Sequence, residues 1–253
     1  MSGTIPPDIR RQLLPGPEPP WAFTDAELDG LPDPVGRYLR AAIAPGTPLA
    51  TAARFRMRGQ IKLGRWIPFR AEELLAPHQG FHWAARAAGV ISGFDRHVGG
   101  QGRMRWRLLG LVPVMRADGP DLSRSAAGRV VGEATWVPTA LLPRFGADWS
   151  ATDDHHLTVR WRIDRHEAAL ELVVDDLGRL REAVFQRWGD PDQTGTFGLH
   201  PCGAEVTAYA TFGGVSVPAA GRAGWFYGTD RWPDGEFFRY RLTSMELLTQ
   251  PAP

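Results

Sequence analysis

The sequence predicts a mainly β fold, a curled antiparallel sheet or half-barrel of about ten strands with an N-terminal amphipathic helix and a central helical excursion. Three observations carry that expectation. From Arg54 to Leu63, apolar Phe55, Met57, Ile61 and Leu63 alternate with Arg54, Arg56, Arg58, Gln60 and Lys62, the period of a strand with one packed and one wet face. Further period-two, β-branched or aromatic segments recur along the chain, punctuated by Pro77 with Gly80, Gly99-Gly100 and Gly213-Gly214. Between Leu109 and Leu157 the period turns helical.

Taken in order, residues 1–23 carry Pro6, Pro7, Pro15, Pro17, Pro19 and Pro20 and read as a flexible proline-rich arm. Residues 24–250 read as a single half-barrel-like domain. Thr24 and Glu27 have capping-box spacing, and Asp33 with Pro34 gives a second N-cap signal. Val35, Tyr38, Leu39, Ala42 and Ile43 then repeat at helical spacing until Pro45-Gly46. Strands are expected at Arg54 to Leu63, Trp66 to Leu75, Phe81 to Ala87 and Arg103 to Leu109, and again at Leu157 to Ile163, Ala168 to Val174 and Arg179 to Trp188. Glu205 to Phe212, Arg222 to Tyr227 and Glu236 to Leu247 complete the set. Within the excursion, Leu122, Ala126, Val130 and Ala134 fit a helix opened by Asp121, and Pro138 to Leu142 a shorter one. A sheet this wide cannot stay flat, so it must curl, split or close, and helices across its concave side make a container.

Composition narrows the functions. With 29 basic and 28 acidic residues there is no global charge excess to hold a polyanion, and nucleic acid is not expected as a partner. Cys202 is the only cysteine, which rules out an intramolecular disulfide and a cysteine-built zinc site. Neither a signal-peptide run nor a transmembrane segment is apparent, so a cytoplasmic location is expected. Gly99 to Gly102 lacks the dinucleotide fingerprint and Gly221 to Gly228 lacks Walker spacing and its lysine, so no cofactor is expected. Composition leaves the oligomeric state open.

Four strings resemble a bacterial family known only as a domain of unknown function. They are Leu31-Pro32-Asp33-Pro34-Val35-Gly36-Arg37-Tyr38-Leu39, Met57-Arg58-Gly59, Gly80-Phe81-His82-Trp83-Ala84 and Gly132-Glu133-Ala134-Thr135-Trp136-Val137-Pro138. The resemblance runs from about Thr24 onward and implies no activity. In architecture, the strand order with its central excursion resembles the periplasmic lipoprotein-carrier half-barrels, a likeness that implies acyl chains held beneath helices.

Candidate site residues follow. Phe81, Trp83, Trp106, Trp136, Trp161 and Trp225 are the aromatics expected to line a cavity for a hydrophobic or lipid-like molecule, with plain core packing as the competing reading. Glu133, beside Trp136 at the end of an apolar helix, reads as an ion-pair clamp to Arg58 or another strand arginine, or more sharply as a catalytic acid. Asp95 and His97 share a face if their segment is extended, the arrangement of a general base. Asp153-Asp154-His155-His156, with His166 or His200, is the densest group of metal-ligand types; it reads as a polar loop, and no metal is expected. The arginine faces Arg54/Arg56/Arg58, Arg103/Arg105/Arg107, Arg160/Arg162 and Arg239/Arg241 read as a solvated face with cross-strand partners such as Glu72, Glu171, Glu182 and Glu246, or as a basic plate. The sequence favours a non-enzymatic binder over an enzyme using Glu133 with Asp95 or His97, and over a structural or interaction domain.

Overall fold

In the computed structural model, which describes residues 5–14 and 21–249, all strands join one antiparallel sheet of thirteen. They are β1 (Ala52–Leu63), β2 (Arg65–Ala76), β3 (Gly80–Ala87), β4 (Ile91–Val98), β5 (Gln101–Leu108), β6 (Val112–Asp118), β7 (Asp148–Ala151), β8 (His156–Ile163), β9 (His166–Val174), β10 (Leu180–Gly189), β11 (Gly198–Phe212), β12 (Val215–Trp225) and β13 (Glu236–Leu248). Their order, β6-β5-β4-β3-β2-β1-β13-β12-β11-β10-β9-β8-β7, is two meanders joined where β1 pairs with β13. The three strands beyond the expected ten are β4, β6 and β7.

At the start of β1 the alternation does what it predicts, with Phe55 and Met57 buried and Arg56 and Arg58 exposed; toward its end it fails, since Ile61 is half-buried and Leu63, expected on the packed face, is exposed at the hairpin tip. Helix α1 (Pro7–Leu13) lies within the stretch expected to be an arm. Its Ile9 and Leu13, spaced i,i+4, are buried against Leu74 and Val98 on the face opposite the main core, so one apolar stripe suffices to dock this short helix. The rest of that stretch, residues 1–4 and 15–20, lies outside the described residues.

Helix α2 (Asp33–Ala42) starts at Asp33 itself, with Pro34 in its first turn and no side-chain cap bond. Asp33 therefore supports the helix only as a negative charge in the first turn. The capping-box signal at Thr24 yields just a short 3-10 turn, Asp25–Leu28, again without a side-chain cap. Val35, Tyr38 and Leu39 of α2 are buried, with Tyr38 against Trp149 of β7 at 5.6 Å between rings.

Helix α3 (Pro120–Glu133) carries the chain from the β6 edge toward the β7 edge, and three short 3-10 turns follow it through Phe145. It touches β5 on one side and β9 and β10 on the other. In a flat sheet β5 and β10 would stand roughly 38 Å apart at about 4.8 Å per strand, and a helix about 10–12 Å across could not reach both. The sheet therefore curls around α3, unclosed, with the core on its concave face.

Candidate functional site

One stripe of α3 faces the concave sheet: Leu122, Ser125, Ala126, Arg129, Gly132 and Glu133, at the i, i+3, i+4, i+7 spacing of a helical face. The small members of that stripe matter. A Cβ at Gly132 would meet the Phe185 ring at 2.6 Å, so glycine is what lets the helix settle on β10. Between stripe and sheet lies a cavity of about 370 Å³. Phe81, Trp83, Trp136, Phe185, Trp225 and Phe238 supply most of its aromatic wall, and Met104, Ala183, Cys202 and Val206 add to it. Trp136 is fixed by donating Nε1–H to the Pro218 carbonyl at 3.0 Å and by packing against Phe55 and Tyr240.

One wall of the cavity is charged. The Arg129 guanidinium lies 2.7 Å from Glu133, one turn along α3, and 3.5 Å from both Glu73 of β2 and Asp95 of β4. It also stacks over the rings of Phe81 and Trp83, at 4.4 and 4.9 Å. Glu73, Trp83 and Asp95 stand side by side through the register of β2, β3 and β4, which is how the sheet gathers the acids under one helix residue. Burial first, and then the neighbouring Glu133 carboxylate, push the Glu73 carboxyl well above its usual range. Burial also raises the Asp95 carboxyl, although Arg129 and the Trp106 indole, donating at 2.8 Å, pull it down. Burial raises the Cys202 thiol as well, so it is a poor nucleophile at neutral pH.

Of the aromatics expected to line a cavity, Phe81, Trp83, Trp136 and Trp225 do so. Trp106 stands behind Trp83, 5.7 Å away, and serves Asp95. Trp161 is core, with its Nε1–H on the Pro77 carbonyl. Asp95 and Glu133 reach the cavity wall, whereas His97 does not: it is fully buried and bonded to Asp164. The partner of Glu133 is Arg129 of its own helix, not Arg58, which lies exposed on the opposite face of the sheet. The i,i+4 spacing of Arg129 and Glu133 signals that pair in the sequence; nothing local signals Glu73. In the Asp153-Asp154-His155-His156 loop, Asp153 accepts the backbone N–H groups of His155 and His156 and pairs with the His156 ring. Among the described residues, no three metal-ligating side chains converge.

A family model described as a family of unknown function (DUF6544) matches residues 21–237. No curated protein matches the sequence. Among solved structures, the chain is similar to a LolA superfamily protein from Nitrosomonas europaea, with 13% identity over 86% of this chain and 93% of that one, at a TM-score of 0.45. A second similar structure is a DUF1329 family protein from Desulfovibrio piger, with 9% identity over 78% of this chain and 86% of that one, at a TM-score of 0.42.

Proposed function

We propose a function for a chain that belongs to DUF6544, a family of unknown function: it binds a hydrophobic, lipid-like small molecule in the cavity beneath α3, without catalysis. The observation that supports this reading is the aromatic cavity itself. Its volume of about 370 Å³ falls within the roughly 300–1,000 Å³ of small-molecule sites. Its wall combines large apolar surface with a few fixed polar groups, the composition that holds an amphiphile in one orientation. Native mass spectrometry on protein purified from its own host, followed by denaturing extraction, tests it. A stoichiometric hydrophobic passenger supports the reading, and failure to retain or take up any apolar probe overturns it.

The convergence of Asp95 and Glu133 on one cavity favours a second reading, a hydrolase using them as acid and base. Both already spend oxygens on Arg129, which fits an anchor better than a proton shuttle. Glu133→Gln separates the two: a binder keeps its passenger, whereas an enzyme keeps binding and loses turnover.

A further inference from the structure

The alternate turns of the first meander, β1–β2, β3–β4 and β5–β6, fall at one end of the sheet. All three tips are apolar and exposed: Leu63 on the first, Val90 on the second, and Leu109, Leu111, Val112 and Val114 on the third. Leu109 and Leu111 are 68% and 80% exposed, far from the usual state of leucine. Backbone bonds hold the second and third tips in place, since Ala88 N–H donates to the Pro68 carbonyl within β2 and Leu109 N–H to the Val90 carbonyl of the neighbouring tip.

Behind them, on the face away from α3, the sheet register sets arginines side by side. Arg241 of β13 faces Arg58 of β1, Arg58 faces Arg70 of β2, and Arg70 faces Arg86 of β3. The row continues through Ser92 to Arg107. Like charges directly opposite one another in a sheet are destabilising. Glu72, one row along, is taken by Arg54 and Arg56, and none of the row's own arginines has an ion pair among the described residues. The fold thus sustains a repulsive line of exposed guanidinium groups next to an exposed apolar rim.

We infer that this end of the sheet docks on an anionic phospholipid bilayer, the hairpin tips entering the acyl boundary and the arginine row meeting lipid phosphates. The two features explain each other: apolar side chains alone would favour any greasy partner, and arginines alone any polyanion, but a bilayer surface offers both layers in this order. A second copy of the chain fits poorly, because pairing this face on itself opposes two arginine rows. Lys62 and Leu63 also line the cavity, so docking brings its rim to the lipid.

Flotation of the full chain with vesicles tests the inference, using phosphatidylcholine alone and phosphatidylcholine with phosphatidylglycerol in equal parts. The chain is expected to float with the mixed vesicles at least about tenfold more strongly, and to be released by salt. Leu109→Ser with Leu111→Ser, and separately Arg58→Gln with Arg70→Gln and Arg86→Gln, should each cut that binding about tenfold. The arginine variant should melt no lower than the parent, since it removes repulsion from an exposed face. Equal binding to both vesicles, no binding, or binding untouched by either variant overturns the inference. So does a dimer in sedimentation velocity that the leucine variant dissolves, which would assign the rim to a second copy.

Discussion

Nε2 of His97 on β4 lies 3.0 Å from Oδ2 of Asp164 in the β8–β9 turn, so a side-chain hydrogen bond spans the two arms of the curled sheet. The same carboxylate accepts the Gly100 N–H at 3.1 Å. Asp164→Ala strands a fully buried imidazole and should cost about 1–3 kcal/mol in urea unfolding, with Asp164→Asn recovering part of it. A stability unchanged by Asp164→Ala would show that the two arms hold together without this bond.

Acid should weaken the fold through its buried histidines. Burial, reinforced by Arg96, lowers His82 to about 4, and burial lowers His97 as well. Both folded values lie below the ordinary value of about 6.5, so the unfolded chain takes the proton first. Stability is full above about 6.5 and falls below it, His82 alone accounting for about 2 kcal/mol by pH 5. Glu73 and Asp95, whose folded values are raised, act with the opposite sign. Urea midpoints between pH 7 and pH 5 should therefore shift less for His82→Leu than for the parent.

Arg129 is the only cation within salt-bridge distance of Glu73, Asp95 or Glu133 among the described residues. Arg129→Leu should cost roughly 3–5 kcal/mol, because it leaves buried acids uncompensated. Adding Glu73→Gln should recover stability by removing the most deeply buried of them. If the double variant is no more stable than Arg129→Leu, Glu73 does not share in the ion cluster.

Cys202 reports on the cavity from within. It is buried and lies on the cavity wall, so a thiol-specific dye should label the folded protein slowly. A bound apolar molecule should slow labelling further. Trp136→Ala should weaken binding of the same molecule by more than its loss of stability explains, measured by titration in a folded mutant. Labelling indifferent to saturating ligand would place the ligand elsewhere.

How much could be read from the chain depends on which faces the core supervises. In β9, and in β1 as far as Met57, every second residue is packed, so alternation reveals them. Strand β4 turns Asp95 and His97 inward, which breaks the apolar period that would have announced it. Strand β6 lies at a sheet edge with nearly every residue exposed, and β7 has four residues, too few to show a period. The stripe on α3 was visible in Leu122 and Ala126. The role of Arg129 was not, because two of its partners arrive on other strands through a register that only the folded sheet defines.

The seam between the two meanders has a kinetic meaning. Apart from the β1–β13 pair, every strand pairs only with its neighbours in sequence, and such hairpins close quickly. Joining them requires β1 to wait for β13, the last of the thirteen strands in sequence order among the described residues. During synthesis the edge of β1 therefore stands open until β13 has emerged. Refolding should show a fast local phase and a slow one set by this single long-range pairing.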